Sequence, residues 1–127
     1  MPAPELDKVS AATLEIIERF NEAFNRQDVP GVMACMTEDC IFESTYPAPD
    51  GTRFEGQAAV GAFWEELFRS PTHFEWEEIF AAGDRAVVRW LYRWADDQAG
   101  QAGHIRGVDI FRVRDGKVAE KLSYVKG

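Results

Sequence analysis

Long apolar runs are missing from this chain. No stretch approaches the ~20 residues that a membrane-spanning helix needs, and the opening MPAPELDK lacks the basic and apolar segments of a secretory signal. Positive charge is short as well: 14 Lys and Arg stand against 22 Asp and Glu, a net charge of -8. Such a surface repels nucleic-acid backbones and anionic bilayers, so neither is an expected partner. Cysteine and histidine number two each. Cys35 and Cys40 fit buried free thiols near a helix–strand junction, rather than a redox pair, in a reducing compartment. With His73 and His104 far from them in sequence, no metal-ligand cluster can be read. Gly56, Gly103 and Gly107 do not make a phosphate loop. Neither a Ser-His-Asp set nor an activated cysteine is visible. The expected compartment is the cytoplasm, and no cofactor is expected.

Aromatic mass is abundant. At 127 residues, with 46% hydrophobic residues, the chain is long enough for one domain with a real core. Met1 to about Lys8 reads as a flexible tail. Four Trp and nine Phe exceed what a small core uses, and suit either an aromatic-lined cavity or a large subunit interface.

Apolar periodicity sets the order of elements. Leu14, Ile17, Phe20, Ala23 and Phe24 have helical spacing within a helix expected from about Ser10 to Gln27. Asp28 can cap a second, short helix that tolerates Pro30 in its first turn and carries Val32, Met33 and Met36. A strand is expected over Cys40 to Thr45, turn chemistry over Tyr46 to Gly51, and a short strand around Thr52 to Glu55. Gly56 precedes a third helix with Val60, Phe63, Trp64, Leu67 and Phe68 on its buried stripe, ended by Pro71. From His73 the period becomes two. Phe74, Trp76 and, if the alternation continues, Glu78 alternate with Glu75, Glu77 and Ile79, and Gly83-Asp84 turns the chain. Val88, Trp90, Tyr92 and Trp94 then share one face, with Arg89, Leu91 and Arg93 on the other. Asp96 to Gln101 is a loop, and two strands joined at Asp115-Gly116 close the chain. The class is α+β, three helices packed on one face of a curved, mostly antiparallel sheet.

Asp109 stands out within this pattern. Counting by twos, Ile105, Gly107, Asp109, Phe111 and Val113 share a face, so one carboxylate lies in an apolar row and must be paired, neutralised or functional. An apolar surround of Trp90, Tyr92 and Phe111 favours the neutral acid, a hydrogen-bond donor or general acid. The plainer alternative is a structural aspartate that bonds a neighbouring Tyr, Trp or backbone group and shapes the site. Facing in the last strand is ambiguous. The apolar set favours Leu122 and Tyr124 inward and Lys121 outside, whereas a bulge would turn Lys121 inward, pair it with Asp109 and convert a proton donor into a base.

Three local patterns, FNRQDVPGVMACMTEDCIFES, FEGQAAVGAFWEELF and RGVDIFRVRDGKVAEKLSY, in this order of elements, resemble the nuclear transport factor 2-like superfamily, in its SnoaL-like and ketosteroid-isomerase-like branches. The resemblance covers Thr13 to Tyr124. It implies a conical half-barrel whose mouth admits a hydrophobic small molecule, and a homodimer built on the outer face of the sheet, where Leu91, Val108 and Ile110 would otherwise be exposed. Glu75, Glu77, Arg89, Arg93 and Arg112 could supply ion pairs across strands or subunits.

The resemblance also places Asp109 where ketosteroid isomerases keep a protonated aspartic acid that donates to the substrate oxyanion. Their general-base position holds Ser44 here, and their oxyanion tyrosine is Phe20, so steroid isomerisation is not expected. The Asp-Arg-Asp set of the epoxide-hydrolase branch is not met either, because alternation sends Arg93 outward and no second inward aspartate is evident. The polyketide-cyclase branch, which uses one pocket aspartate as acid/base, is matched by Asp109, with Tyr92, Tyr46, Ser44 or His104 available to orient substrate. The cone is expected to be lined by Phe42, Trp64, Trp90, Tyr92, Trp94 and Phe111. Phe20, Phe24, Ser44, Tyr46 and Tyr124 complete that wall. The sequence therefore supports a cofactor-independent cyclase- or isomerase-like enzyme that uses Asp109 on a hydrophobic carbonyl compound. Two other readings stand beside it. One is a module that captures an apolar ligand without chemistry, which the missing isomerase-like partners favour over a specific enzyme. The other is an assembly protein that uses only its dimeric sheet, against which a deep cavity with a buried Asp109 would argue.

Overall fold

The computed structural model describes residues 7–71, 73–94 and 102–126. Residues 1–6 of the expected tail and the expected loop at 96–101 lie outside the described residues, whereas Lys8, at the expected end of that tail, already belongs to the first helix. Helix α1 (Lys8–Asn25) begins at Asp7, whose carboxylate accepts from the Ser10 backbone N–H at 2.8 Å. That interaction satisfies one of the amide groups a helix start leaves without an internal partner. Helix α2 (Val29–Ala34) is capped by Asp28 as the sequence predicts. Strand β1 (Met36–Glu43) and the short β2 (Arg53–Glu55) precede α3 (Gln57–Leu67), and the long strands β3 (Phe74–Ala82), β4 (Arg85–Trp94), β5 (Gly103–Arg114) and β6 (Lys117–Val125) follow. The class is α+β as read from the sequence.

All six strands form one curved sheet in the order β2-β1-β6-β5-β4-β3, antiparallel except where β1 pairs with β6. The helices cover its inner face. Ile17, Phe20 and Phe24 of α1, Val32 of α2, and Val60 and Trp64 of α3 are buried against Val88, Phe111, Val113 and Val118. Polar ties fix the helices in place. Thr13 Oγ1 donates to the Gly83 carbonyl at 2.7 Å, and the Gly83 N–H donates to Ser10 Oγ at 2.7 Å, pinning the start of α1 to the β3–β4 turn. At its other end, the Asn25 side chain both donates to and accepts from the Phe74 backbone. Gln57 holds α3 to the α2–β1 junction by donating to the carbonyls of Met33, Met36 and Thr37.

Irregularities in the ladders change which side chains face inward. In β3 the register slips between Trp76 and Glu78, so Ile79 and not Glu78 joins the inner set. Glu78 instead pairs with Arg89 on the outer face. In the β5–β6 ladder the register slips between Arg112 and Val113. Val113 lies opposite Val118 and Phe111 opposite Lys121, so one strand spends an extra residue between the two inward pairs. A bulge of this kind reverses the alternation beyond it.

The outer face corrects a second expectation. Leu91 does point outward, but it is only 2% exposed. It lies opposite Glu75 and Arg106 in the ladders, and salt bridges join Arg93 to Glu75 and Arg106 to Glu77, both at 3.1 Å. The stems of such side chains can cover apolar surface while their charged heads stay in water. These acid–Arg pairs lie across strands of one chain. Both thiols are free: Cys40 is buried, Cys35 is half-buried at the end of α2, and burial pushes both thiols up from their ordinary value.

Candidate functional site

Between the helices and the inner face of the sheet lies a cavity of about 320 Å³. Phe20, Asn21 and Phe24 of α1 and Phe63, Trp64 and Leu67 of α3 wall one side. Phe42, Ser44, Thr45 and Tyr46 at the end of β1, with Phe74 and Trp76 of β3 and Trp90 of β4, wall the other. Local sequence explains this placement. On α1 the positions 17, 20, 21 and 24 follow helical spacing, so Asn21 is carried into the apolar stripe and is buried with it. On β4 Trp90 lies opposite Gly107 of β5. A Cβ on Gly107 would collide with the Trp90 ring and with the Tyr124 carbonyl, so only glycine lets the indole lie this close to the strand.

Among the polar side chains of the lining, three touch each other. Asp109 Oδ2 lies 3.3 Å from Lys121 Nζ. Ser123 Oγ donates to Asp109 Oδ1 at 2.6 Å and accepts from Lys121 Nζ at 3.1 Å. The ladder produces the cluster directly, because Asp109 faces Ser123 and Phe111 faces Lys121 on adjacent strands. The side chains of Lys121 and Asp109 are 8% and 5% exposed. Around the ammonium stand three rings, with Nζ 4.8 Å from the centroid of Phe42, 5.3 Å from Trp64 and 5.6 Å from Phe24. Ring faces attract a cation. Burial pushes the Lys121 amine down from its ordinary value of 10.5, and neighbouring Asp109 pulls it part of the way back. Asp109 and Ser123 occupy two of the three ammonium hydrogens. The third has no further oxygen or nitrogen partner among the described residues.

This arrangement corrects the expected facing of β6. Lys121 is inside and Tyr124 is outside, 52% exposed, because the bulge shifts parity after Val118. Asp109 is therefore not the isolated acid in an apolar row that alternation in its own strand indicated. A lysine and a serine from the next strand meet it.

The other expected wall residues divide. Phe20, Phe24, Phe42, Ser44, Tyr46, Trp64 and Trp90 do line the cavity. Tyr46 stands at its rim, 82% exposed, and Ser44 Oγ is engaged in the loop, donating to the Tyr46 carbonyl and accepting from the Thr52 N–H. Tyr92 and Trp94 continue the aromatic row along β4 beyond the cavity, Tyr92 stacking on Phe74 at 5.1 Å. Phe111 is buried behind it, edge-on to Phe20 at 5.5 Å. His73 and His104 are exposed. Asn21, Thr45, Phe63, Leu67, Phe74, Trp76, Lys121 and Ser123 were not among the expected wall residues. For Asn21 the helical count was a usable signal, and for Phe74 and Trp76 the alternation in β3 was another. Lys121 and Ser123 required the bulge. No group of three His, Cys, Asp or Glu among the described residues is placed to hold a metal ion.

The SnoaL-like domain model matches residues 17–121. The chain belongs to the SnoaL-like family. It is similar to a solved NTF2-like protein of unknown function from Mesorhizobium loti, with 41% identity over 97% of this chain and 98% of that one, at a TM-score of 0.84. A proposed polyketide cyclase from Pseudomonas putida is 26% identical over 90% and 91% of the two chains, at a TM-score of 0.71. A proposed ketosteroid isomerase from Kribbella flavida shares the fold at 19% identity and a TM-score of 0.78, over 93% of this SnoaL-like chain and 80% of that one. No curated protein sequence matches the chain. The shared fold carries many chemistries, so an activity has to be argued from the cavity itself.

Proposed function

We propose that this SnoaL-like protein binds a hydrophobic carbonyl compound in its aromatic cavity and moves a proton on it without a cofactor, as a cyclase or isomerase does. The observation that carries this reading is the buried Asp109–Lys121–Ser123 cluster on the cavity wall. A carboxylate and an ammonium side by side suit proton abstraction next to a carbonyl. Asp109 takes the proton from the α-carbon, and charge then grows on the carbonyl oxygen, where the remaining Lys121 hydrogen can meet it. Ser123 fixes the carboxylate by donating to its other oxygen. The role of Asp109 thus moves from the acid expected from its own strand to a base. Similarity to a proposed polyketide cyclase agrees with this class of chemistry.

Wild-type protein in D2O should catalyse deuterium exchange at the α-carbon of apolar ketones, read by proton NMR. Asp109→Asn should lower that rate by about 10²–10⁴-fold, the usual contribution of a positioned base. Binding without exchange would instead favour the non-catalytic ligand-binding module, whose support is the same aromatic wall, and exchange equal in the variant would remove Asp109 as the base.

A further inference from the structure

We propose that Lys121 is also a nucleophile, and that it captures an apolar aldehyde or ketone as a Schiff base inside the cavity. The inference rests on reading the cavity as a carbonyl-compound site, and adds a covalent step to it. Three features of the cavity carry it. The amine lies on the wall of an apolar cavity rather than in water, where a lysine is most readily used as a neutral nucleophile. A base is within reach, since Asp109 Oδ2 is 3.3 Å away. A third group orients that base, since Ser123 Oγ donates to Asp109 Oδ1 at 2.6 Å. Nucleophile, base and orienting group in hydrogen-bonded sequence are the arrangement that covalent catalysis needs. The aromatic rings of Phe24, Phe42 and Trp64 stand 4.8–5.6 Å from the amine and make its immediate surroundings apolar.

The step balances within these residues and the ligand. The Lys121 ammonium gives one proton to the Asp109 carboxylate, converting the ion pair into a neutral amine and a carboxylic acid. The nitrogen lone pair then forms a bond to the carbonyl carbon, the C=O π pair moves to oxygen, and proton transfer gives a carbinolamine. Asp109 returns its proton to the hydroxyl, which leaves as water while the C=N bond forms. The resulting iminium is positive where the carbonyl was neutral, and it lies beside the Asp109 carboxylate. Hydrolysis runs the same steps backwards. No oxidant, reductant or metal enters.

Reductive trapping tests the proposal. The chain contains four lysines, Lys8, Lys117, Lys121 and Lys126. Intact protein is incubated with an aromatic aldehyde, 6-methoxy-2-naphthaldehyde, and sodium cyanoborohydride, and adducts are located by peptide mass mapping. Lys121 should be labelled about tenfold faster than the other three, and Asp109→Asn should slow its labelling about tenfold. Lys121→Arg, which keeps the charge, should remove the fast adduct while circular dichroism confirms that it folds. Labelling spread over the other lysines, with Lys121 no faster, would overturn the proposal. Quenching of tryptophan fluorescence by the same aldehyde, measured without reductant, separates the two readings. Quenching without capture removes only the nucleophile, whereas neither quenching nor capture removes the carbonyl-site reading too.

Discussion

The two faces of the sheet carry the same chemistry to opposite effect. Outside, Arg93 pairs with Glu75 at 3.1 Å with side chains 62% and 48% exposed. Inside, Lys121 pairs with Asp109 at a similar 3.3 Å, almost wholly out of water. An exposed pair gains little beyond what water already gives each ion, about 0–1 kcal/mol. A buried pair must offset the desolvation of two charges, and apolar residues of similar volume often serve stability as well or better. The outer pairs are therefore ordinary surface. The inner pair stabilises the fold poorly for what it costs, and its position on a cavity wall is what the proposed proton transfer draws on.

Substitutions sharpen that difference. The largest stability effect should follow Lys121→Met, which leaves Asp109 buried without its cation and should cost about 3–5 kcal/mol by urea denaturation. Replacing both, as Asp109→Leu with Lys121→Met, should restore most of that loss while abolishing deuterium exchange. A double variant as unstable as the single one would show that the pair itself holds the sheet together. At the small end, Arg93→Ala should change stability by less than about 1 kcal/mol, and less still in high salt. An outer-face loss as large as the inner one would erase the comparison.

Much of this was legible in the sequence. Helical spacing in Ile17, Phe20 and Phe24, the Asp28 cap, and alternation through Val88 and Trp90 fixed the elements and their order, because each is a local rule. Asp109 was legible as a residue of the cavity wall because a carboxylate in an apolar row is anomalous within a single strand. Of its partners, Lys121 was legible only as the alternative that a bulge would realise, and Ser123 was not legible. Lys121 and Ser123 reach the cavity only because β6 and β5 slip register near Val113 and Val118, and a slip is a property of two strands that neither shows alone. The same reason explains Glu78 and Ile79 in β3. Tyr92 and Trp94 have the inward parity the sequence assigned them, but how far a cavity extends along a strand depends on where the helices stop covering it.

Titration of Lys121 tests the central claim, that its amine and Asp109 share a buried site open to ligand. Because burial lowers the folded amine below its ordinary 10.5, the unfolded chain binds more protons between the folded value and 10.5. The contribution of this group to stability therefore rises with pH through that window, and it is absent in Lys121→Met. Lysine side-chain ¹⁵N NMR, with the signal assigned by Lys121→Arg, reads the amine directly. The account predicts a midpoint below 10.5 that moves when an apolar ketone is added. A midpoint at or above 10.5, unmoved by ketone, would contradict it.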